Sequence, residues 1–165
     1  MIQIELLELL EKYPGGPGIV SRGLSLTDIE TLELEYCPPG KQFQKALREF
    51  HFLAGNLCRY FDSGVGIDGN LKSDQEQVWT YINAQPYSFS FTNIWAFDFD
   101  MQYNEFHFID LNQEKDDPDI YFTDLRLMSR ETGVGSEYIV KTEFTLVSFI
   151  NYRIAYFLRH GKALI

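Results

Sequence analysis

The sequence predicts an α+β domain in which N-terminal helices pack on a mainly antiparallel, twisted sheet and a C-terminal helix completes the fold. Apolar residues recur at helical spacing in the first third of the chain and again over residues 142–160. Between them, residues 86–125 form aromatic segments separated by turns rich in Asp, Asn and Pro. An antiparallel sheet with one aromatic face needs a second layer to cover it, and the helices can supply that layer.

Three helices are predicted at the N-terminal end. A short amphipathic helix comes first, and the Gly/Pro stretch at 14–18 ends it. A second helix begins near Ser25, with Thr27 and Glu30 at capping-box spacing, and stops at a Pro-Pro-Gly turn. A third helix covers residues 41–55. Its inward-facing stripe consists of Phe43, Leu47, Phe50 and Ala54.

The segment between these helices and the sheet is open to two interpretations. Residues 62–72, which contain three glycines, are predicted as a loop or a short strand. Ser73 and Glu76 have capping-box spacing and would open a short helix. Residues 77–83 (QVWTYIN) are equally compatible with a strand.

Residues 86–125 are predicted to form an antiparallel meander. The first strand has aromatic residues on a single parity, which places them on one face of the sheet. These residues are Tyr87, Phe89, Phe91, Trp95, Phe97 and Phe99. The later elements are a turn at 100–104, strands at 106–111 and 120–125 with a turn at 112–118 between them, a loop at 130–136, a short strand at 137–141 and a helix at 142–160.

Length and composition indicate one domain over residues 1–165, with the first helix and the Gly/Pro loop in residues 1–23. The net charge of −10 argues against nucleic acid as a partner and is compatible with a basic protein. The N-terminus lacks the basic region of a secretory signal, and no apolar run is long enough to span a membrane. We therefore expect a cytoplasmic protein whose two cysteines are free thiols.

Catalytic and metal motifs were tested against the sequence, and none fits. Oxygen-bearing side chains alternate from Asp98 to Asn104, as in the first half of a calcium loop. However, the sixth loop position is Tyr103 instead of Gly, and the twelfth is Ile109 instead of Glu. The histidines and cysteines lack zinc-ligand spacing. We expect no metal, no cofactor and no catalytic residue, although Asp98 and Asp100 remain an alternative pair of carboxylates for acid–base chemistry.

The order of elements resembles the SMI1/KNR4 family, also called the SUKH superfamily, over residues 24–157. The matching motifs are Leu26-Thr27, Pro38-Pro39, Arg48-Glu49-Phe50 with Leu53, Gly55-Asn56, and Asp117-Pro118-Asp119-Ile120-Tyr121. The chain departs from the family pattern by having His51-Phe52 before Leu53 and by lacking a double glycine after the helix.

The resemblance implies a non-enzymatic protein-binding module, a bacterial immunity protein that neutralises a basic toxin, such as a nuclease, by direct binding. A regulatory scaffold of the SMI1/KNR4 type is the alternative, and a metal-dependent enzyme using Asp98 and Asp100 is a third hypothesis. The acidic segments at 62–74 and 114–119 and the hairpin tip are the predicted contact regions. Their candidate partner-binding residues are Asp68, Asp74, Asp98, Asp100, Tyr103, Asp116 and Asp117. Possible aromatic anchors of an interface are Trp79, Trp95 and Tyr103. The alternative for the two tryptophans is that they belong to the core.

Overall fold

The computed structural model describes residues 2–16, 19–60, 71–85, 89–100, 105–124 and 139–161. Its helices are α1 (Glu8–Lys12), α2 (Leu26–Tyr36), α3 (Lys45–Ala54), α4 (Leu71–Asn83) and α5 (Leu146–His160). Its strands are β1 (Gly15–Gly16), β2 (Ile19–Val20), β3 (Ile94–Asp100), β4 (Glu105–Asp110), β5 (Asp119–Asp124) and β6 (Ile139–Thr145). This is the α+β fold that the sequence predicts.

The main sheet has the strand order β3-β4-β5-β6, and every neighbouring pair is antiparallel. The predicted meander is therefore confirmed. The outer edge of β3 is covered by α4, where the side-chain amide of Gln75 takes the place of a further strand. Its Oε1 accepts from the amide of Ala96 at 2.9 Å, and its Nε2 donates to the carbonyl of Ala96 at 2.8 Å.

Asp98 forms a β-bulge in β3 that the sequence pattern does not reveal. Phe97 stands opposite His107 and Phe99 stands opposite Phe106, so that Asp98 is an extra residue with no partner position in β4. Residues directly opposite each other share a face of the sheet. The bulge thus places Phe97 and Phe99 on opposite faces, and the prediction that both belong to one aromatic face is wrong.

The face that carries Phe97 packs against the helices. The ring centroids of Phe97 and Phe149 of α5 are 5.8 Å apart. Trp95 lies on the same face with no exposed surface, and its indole contacts the rings of Phe43 and His51 at 5.1 and 4.7 Å. Trp95 is therefore a core residue and is not available as an interface anchor.

The opposite face is covered by residues 89–93, which lie outside the strands. Phe89 and Phe91 pack on Phe108 with ring centroids 5.6 and 5.0 Å apart, while Ser90 and Thr92 are exposed. The alternation of this segment thus reflects rings that cover a sheet, and the prediction that it forms part of the first strand is wrong. The first residues of the predicted strand, 86–88, lie outside the described residues.

The start of α2 near Ser25 is confirmed, but α3 begins at Lys45 and not at residue 41, so Phe43 of the predicted stripe precedes the helix. The N-cap of α2 is Ser25, whose hydroxyl accepts from the amide of Asp28 at 3.2 Å, so the Thr27 capping box does not form. α5 begins at Leu146, since the preceding residues 142–145 belong to β6. Its N-cap is Thr145, which exchanges hydrogen bonds with Ser148 in a capping box.

The ambiguous segment 77–83 is helical. α4 extends through it, and Val78 and Ile82 on its inner side are buried. Ser73 lies within α4, because residues 71 and 72 are already helical, so the prediction that Ser73 caps this helix is wrong. Trp79 is half-buried against Phe89, with ring centroids 6.2 Å apart.

The N-terminal segment docks on the domain through a buried carboxylate of α3. Glu49, which is 1% exposed, accepts from the amides of Glu5, Leu6 and Leu7 at 3.1, 2.9 and 2.9 Å. These contacts hold residues 5–7 in a non-helical path, so α1 begins only at Glu8, although the helical spacing of apolar residues in the sequence begins at Ile2. The next turn anchors the segment by burying Leu10.

Both cysteines are free thiols, as predicted: Cys58 is buried and Cys37 is half-buried. Burial, together with the nearby charge of Glu33, raises the pKa of Cys37 to about 12. Over the described ranges, every helix is too short or too polar to cross a bilayer.

Candidate partner-binding surfaces

The predicted partner-binding residues do not converge on one surface. Asp98 and Asp100 lie where β3 meets β4, whereas Asp116 and Asp117 lie in the β4–β5 connection, at the other end of β4. Asp74 lies in the first turn of α4. The remaining two candidates, Asp68 and Tyr103, are outside the described residues. The ends of the sheet therefore form two separate candidate surfaces.

At the first end, the carboxylate of Asp98 is engaged within the chain. It forms an ion pair with Arg153 of α5, and its Oδ2 lies 3.3 Å from Nδ1 of His107. Asp98 has a φ of 52°, an uncommon backbone conformation for a residue other than Gly. These contacts join the bulge in β3 to α5. Where residues are described, no three His, Cys, Asp or Glu side chains are arranged to hold a metal ion.

Three further carboxylates form a cross-strand row at this end. Asp100 stands opposite Glu105, and Glu105 stands opposite Asp124 on the next strand. Of these three carboxylates, only that of Asp100 is among the predicted partner-binding residues. Glu105 and Asp124 lie at the ends of predicted strands, and the meander order brings these ends to the same side of the sheet. Whether Asp100 stands opposite Glu105 depends on the strand register, which the bulge at Asp98 shifts.

At the second end, most acids of the segment 114–119 are engaged within the chain. Glu114 pairs with Lys41 at 3.2 Å. Asp117 accepts from the amide of Val147 at 2.9 Å and so stabilises the N-terminus of α5. Asp119 pairs with lysines 115 and 141, and these lysines lower its pKa. Asp116 is the exception, because the described residues provide no hydrogen bond or ion pair to its carboxylate.

Asp116 lines a cleft of about 580 Å³ between the N-terminal segment, α2 and α3. The apolar part of its wall comes from Ile2, Leu26 and Phe43. Ile2 and Leu26 are half-buried, whereas Phe43 is largely covered by the core. The charged lining residues are Glu5, Glu30, Glu49, Asp116, Lys45 and Arg48. The cleft is therefore open, partly apolar and more acidic than basic.

Both basic residues of the cleft are paired. Lys45 forms an ion pair with Glu5. Nε of Arg48 lies 3.0 Å from Oε1 of Glu33, which also accepts from the amide of Phe43 at 3.1 Å. Burial raises the pKa of Glu33, and the charge of Arg48 opposes this rise. The positive charges of the cleft are thus largely neutralised by neighbouring carboxylates.

Two of the four acidic lining residues are also satisfied. Glu5 pairs with Lys45, and Glu49 holds the three amides of the N-terminal segment. Glu30 and Asp116 are both exposed, and within the described ranges neither carboxylate has a hydrogen bond or an ion pair. They approach the cleft from α2 and from the β4–β5 connection. Glu30 was not among the sequence-derived candidates, because its place in the same cleft as Asp116 depends on the tertiary packing.

Comparisons of the chain with protein-family models, with curated proteins and with solved structures found no match. The resemblance to the SMI1/KNR4 family therefore remains a prediction from the sequence motifs.

Proposed function

We propose that this chain is a non-enzymatic protein-binding module that recognises a basic protein. The observation that carries the proposal is the open cleft beside Asp116, which has four acidic and two basic side chains around a partly apolar wall. A net charge of −10 would also steer basic partners toward the molecule and disfavour acidic ones.

The resemblance to the SMI1/KNR4 family suggests what the partner is. On the pattern of the bacterial immunity proteins, the chain would bind a toxin in the cytoplasm and occlude its active site. A nuclease fits the charge argument, because enzymes that bind nucleic acid carry clustered Lys and Arg. A regulatory scaffold would use the same binding chemistry on a signalling partner and would leave that partner active.

The proposal is tested by affinity capture from native-host lysate, followed by reconstitution with the purified captured protein. Capture is compared at ionic strengths of about 0.01 M and 0.15 M, where the Debye lengths are about 30 and 8 Å. We expect a stoichiometric complex with a basic protein that weakens with salt, and loss of that protein's activity in the complex. A complex in which the partner stays active would support the scaffold instead. Failure to form a stoichiometric complex would contradict both.

A second candidate function, an enzyme that uses Asp98 and Asp100, is favoured by the contact between Asp98 and His107. Oδ2 of Asp98 lies 3.3 Å from Nδ1 of His107 without forming a hydrogen bond to it, so a carboxylate and an imidazole, two groups that serve in acid–base chemistry, stand side by side. In this case the purified chain would turn over substrate on its own. Activity would be lost in Asp100→Asn and in His107→Gln while the circular dichroism spectrum stayed that of the parent.

A further inference from the structure

The cleft beside Asp116 offers acceptors on two different elements. The carboxylates of Glu30 and Asp116 are exposed and form no hydrogen bond or ion pair within the described part of the chain. The pKa of Lys45 is nevertheless raised by its hydrogen bond to Glu5 and, to a smaller extent, by the charge of Asp116. Because Lys45 and Arg48 are already paired with acids, the two carboxylates leave the cleft with an excess of negative charge. A ligand with cationic donors fits this arrangement.

A third acceptor lies next to the cleft. A second depression of about 280 Å³ shares Asp116 and Phe43 with the cleft and is also lined by Gln44. Its lysines 41, 45 and 115 are each paired with a carboxylate, those of Glu114, Glu5 and Asp119. Gln44 is 8% exposed, and its Oε1 accepts no hydrogen bond from the described residues. The orientation of this amide is fixed, since its Nε2 donates to the carbonyl of Asp110 at 3.1 Å and lies 3.3 Å from that of Gln113. Among the described residues, the oxygen is thus a buried acceptor that no donor reaches.

The apolar wall suits the stem of a long basic side chain. Lys and Arg bury their methylene groups on apolar surface while their charged ends reach polar groups. Ile2 and Leu26 are half-buried at the cleft and provide such a surface. An anionic ligand could approach the guanidinium of Arg48, but it would face Glu30 and Asp116 and would compete with Glu33.

We propose that this cleft is the anchor site for a basic partner, and that it receives a Lys or Arg side chain whose charge lies between Glu30 and Asp116. The inference rests on the proposed function and names the surface through which it acts. It also assigns the anchor to the β4–β5 end of the sheet and not to the row formed by Asp100, Glu105 and Asp124.

The test uses the full chain labelled with ¹⁵N and acetylated, amidated tetra-arginine as the probe. The neutral tetra-citrulline and the acidic tetra-glutamate peptides are the charge controls. We expect tetra-arginine to shift amide resonances at the cleft, around Glu30 and Asp116, and we expect neither control peptide to do so. Shifts that centre on Asp100, Glu105 and Asp124, or preferential binding of tetra-glutamate beside Arg48, would overturn the inference.

Two pairs of substitutions separate the site from general charge attraction. Glu30→Gln and Asp116→Asn should each weaken tetra-arginine binding about threefold, and together about tenfold, within the range of exposed charge pairs. The control pair, Glu11→Gln with Glu143→Gln, removes the same net charge from exposed positions away from the cleft. Equal losses in the two double variants would overturn the inference.

The length of the stem gives an independent readout. Tetra-lysine should bind more tightly than tetra-ornithine, which carries the same charge on a side chain one methylene shorter. Equal affinities for the two peptides would contradict packing of the stem on Ile2 and Leu26. If a captured basic protein binds the cleft double variant as tightly as the parent, the anchor site is wrong while the proposed function stands. If the peptide maps to the cleft but no basic protein is captured, the anchor chemistry stands and the proposed function is wrong.

Discussion

Replacement of His51 should change how the stability of this protein depends on pH. The imidazole has no exposed surface and lies among the rings of Phe43, Phe50 and Trp95. Neither ring nitrogen has a hydrogen-bond partner within the described part of the chain. Burial lowers the pKa of His51 to about 3, because the charged form cannot be hydrated there.

The sign and size of the effect follow from proton linkage. Below the unfolded pKa of 6.5, the unfolded chain binds a proton at His51 that the folded chain excludes until about pH 3, so stability falls as the pH falls. Each pH unit in this window costs about 1.4 kcal/mol. Between about pH 7 and pH 5, His51 alone should lower the free energy of unfolding by about 2 kcal/mol.

The assay is urea unfolding of the parent, His51→Phe and His51→Leu at about pH 7 and about pH 5. Between these pH values the free energy of unfolding of the parent should fall by about 2 kcal/mol more than that of either variant. This difference does not depend on how much the change in side-chain volume alters the stability of the variants at pH 7. His160→Gln is the matched control, because it also removes a histidine, but one whose side chain is exposed. Equal losses in the parent and both His51 variants would refute the reasoning.

Three further substitutions test the contacts that hold the fold. Glu49→Gln removes the charge from three hydrogen bonds and should lower the free energy of unfolding in urea by about 2 kcal/mol. It should also speed amide hydrogen exchange at residues 5–7, and exchange there as slow as in the parent would contradict this prediction. Gln75→Leu should lower the free energy of unfolding by about 2 kcal/mol, because it leaves the amide and carbonyl of Ala96 without these hydrogen bonds. A urea unfolding midpoint equal to the parent's would argue against the contact at the edge of β3. Gly23→Ala should cost more than about 3 kcal/mol, since its Cβ would lie 1.6 Å from the carbonyl oxygen of Phe52, and thermal unfolding at the parent's temperature would disprove this close approach.

Much of the fold could be predicted because it depends on local patterns. Leu47, Phe50 and Ala54 are buried, as the helical period of α3 requires, and Phe43 is buried although it precedes the helix. The apolar segments after residue 105 pair as predicted. A short turn can join two neighbouring strands only when they are antiparallel, because parallel strands need a long crossover connection. The predictions that failed concern places where tertiary contacts override a local pattern. Residues 5–7 form no helix because the carboxylate of Glu49 holds their amides.

The candidate surfaces were less accessible to sequence reasoning. Asp116 was recognised as an exposed acid, and it does line the cleft. Asp117 looked equivalent to it in the sequence but stabilises the N-terminus of α5. Asp98 looked like a hairpin-tip acid but is held by Arg153. Whether a carboxylate is available to a partner depends on which distant side chain or amide reaches it, and no local pattern encodes that.

The amino-acid sequence by itself determined most of the element types, the meander order of the sheet and the acidic character, since these follow from periodicity, turn residues and composition. Only the tertiary structure decided the register shift at Asp98, the burial of His51 and the placement of Glu30 and Asp116 in one cleft. Periodicity identifies which side of an element is apolar, but it does not identify what that side packs against. Both the burial of a polar group and the convergence of charges from separate elements depend on that packing.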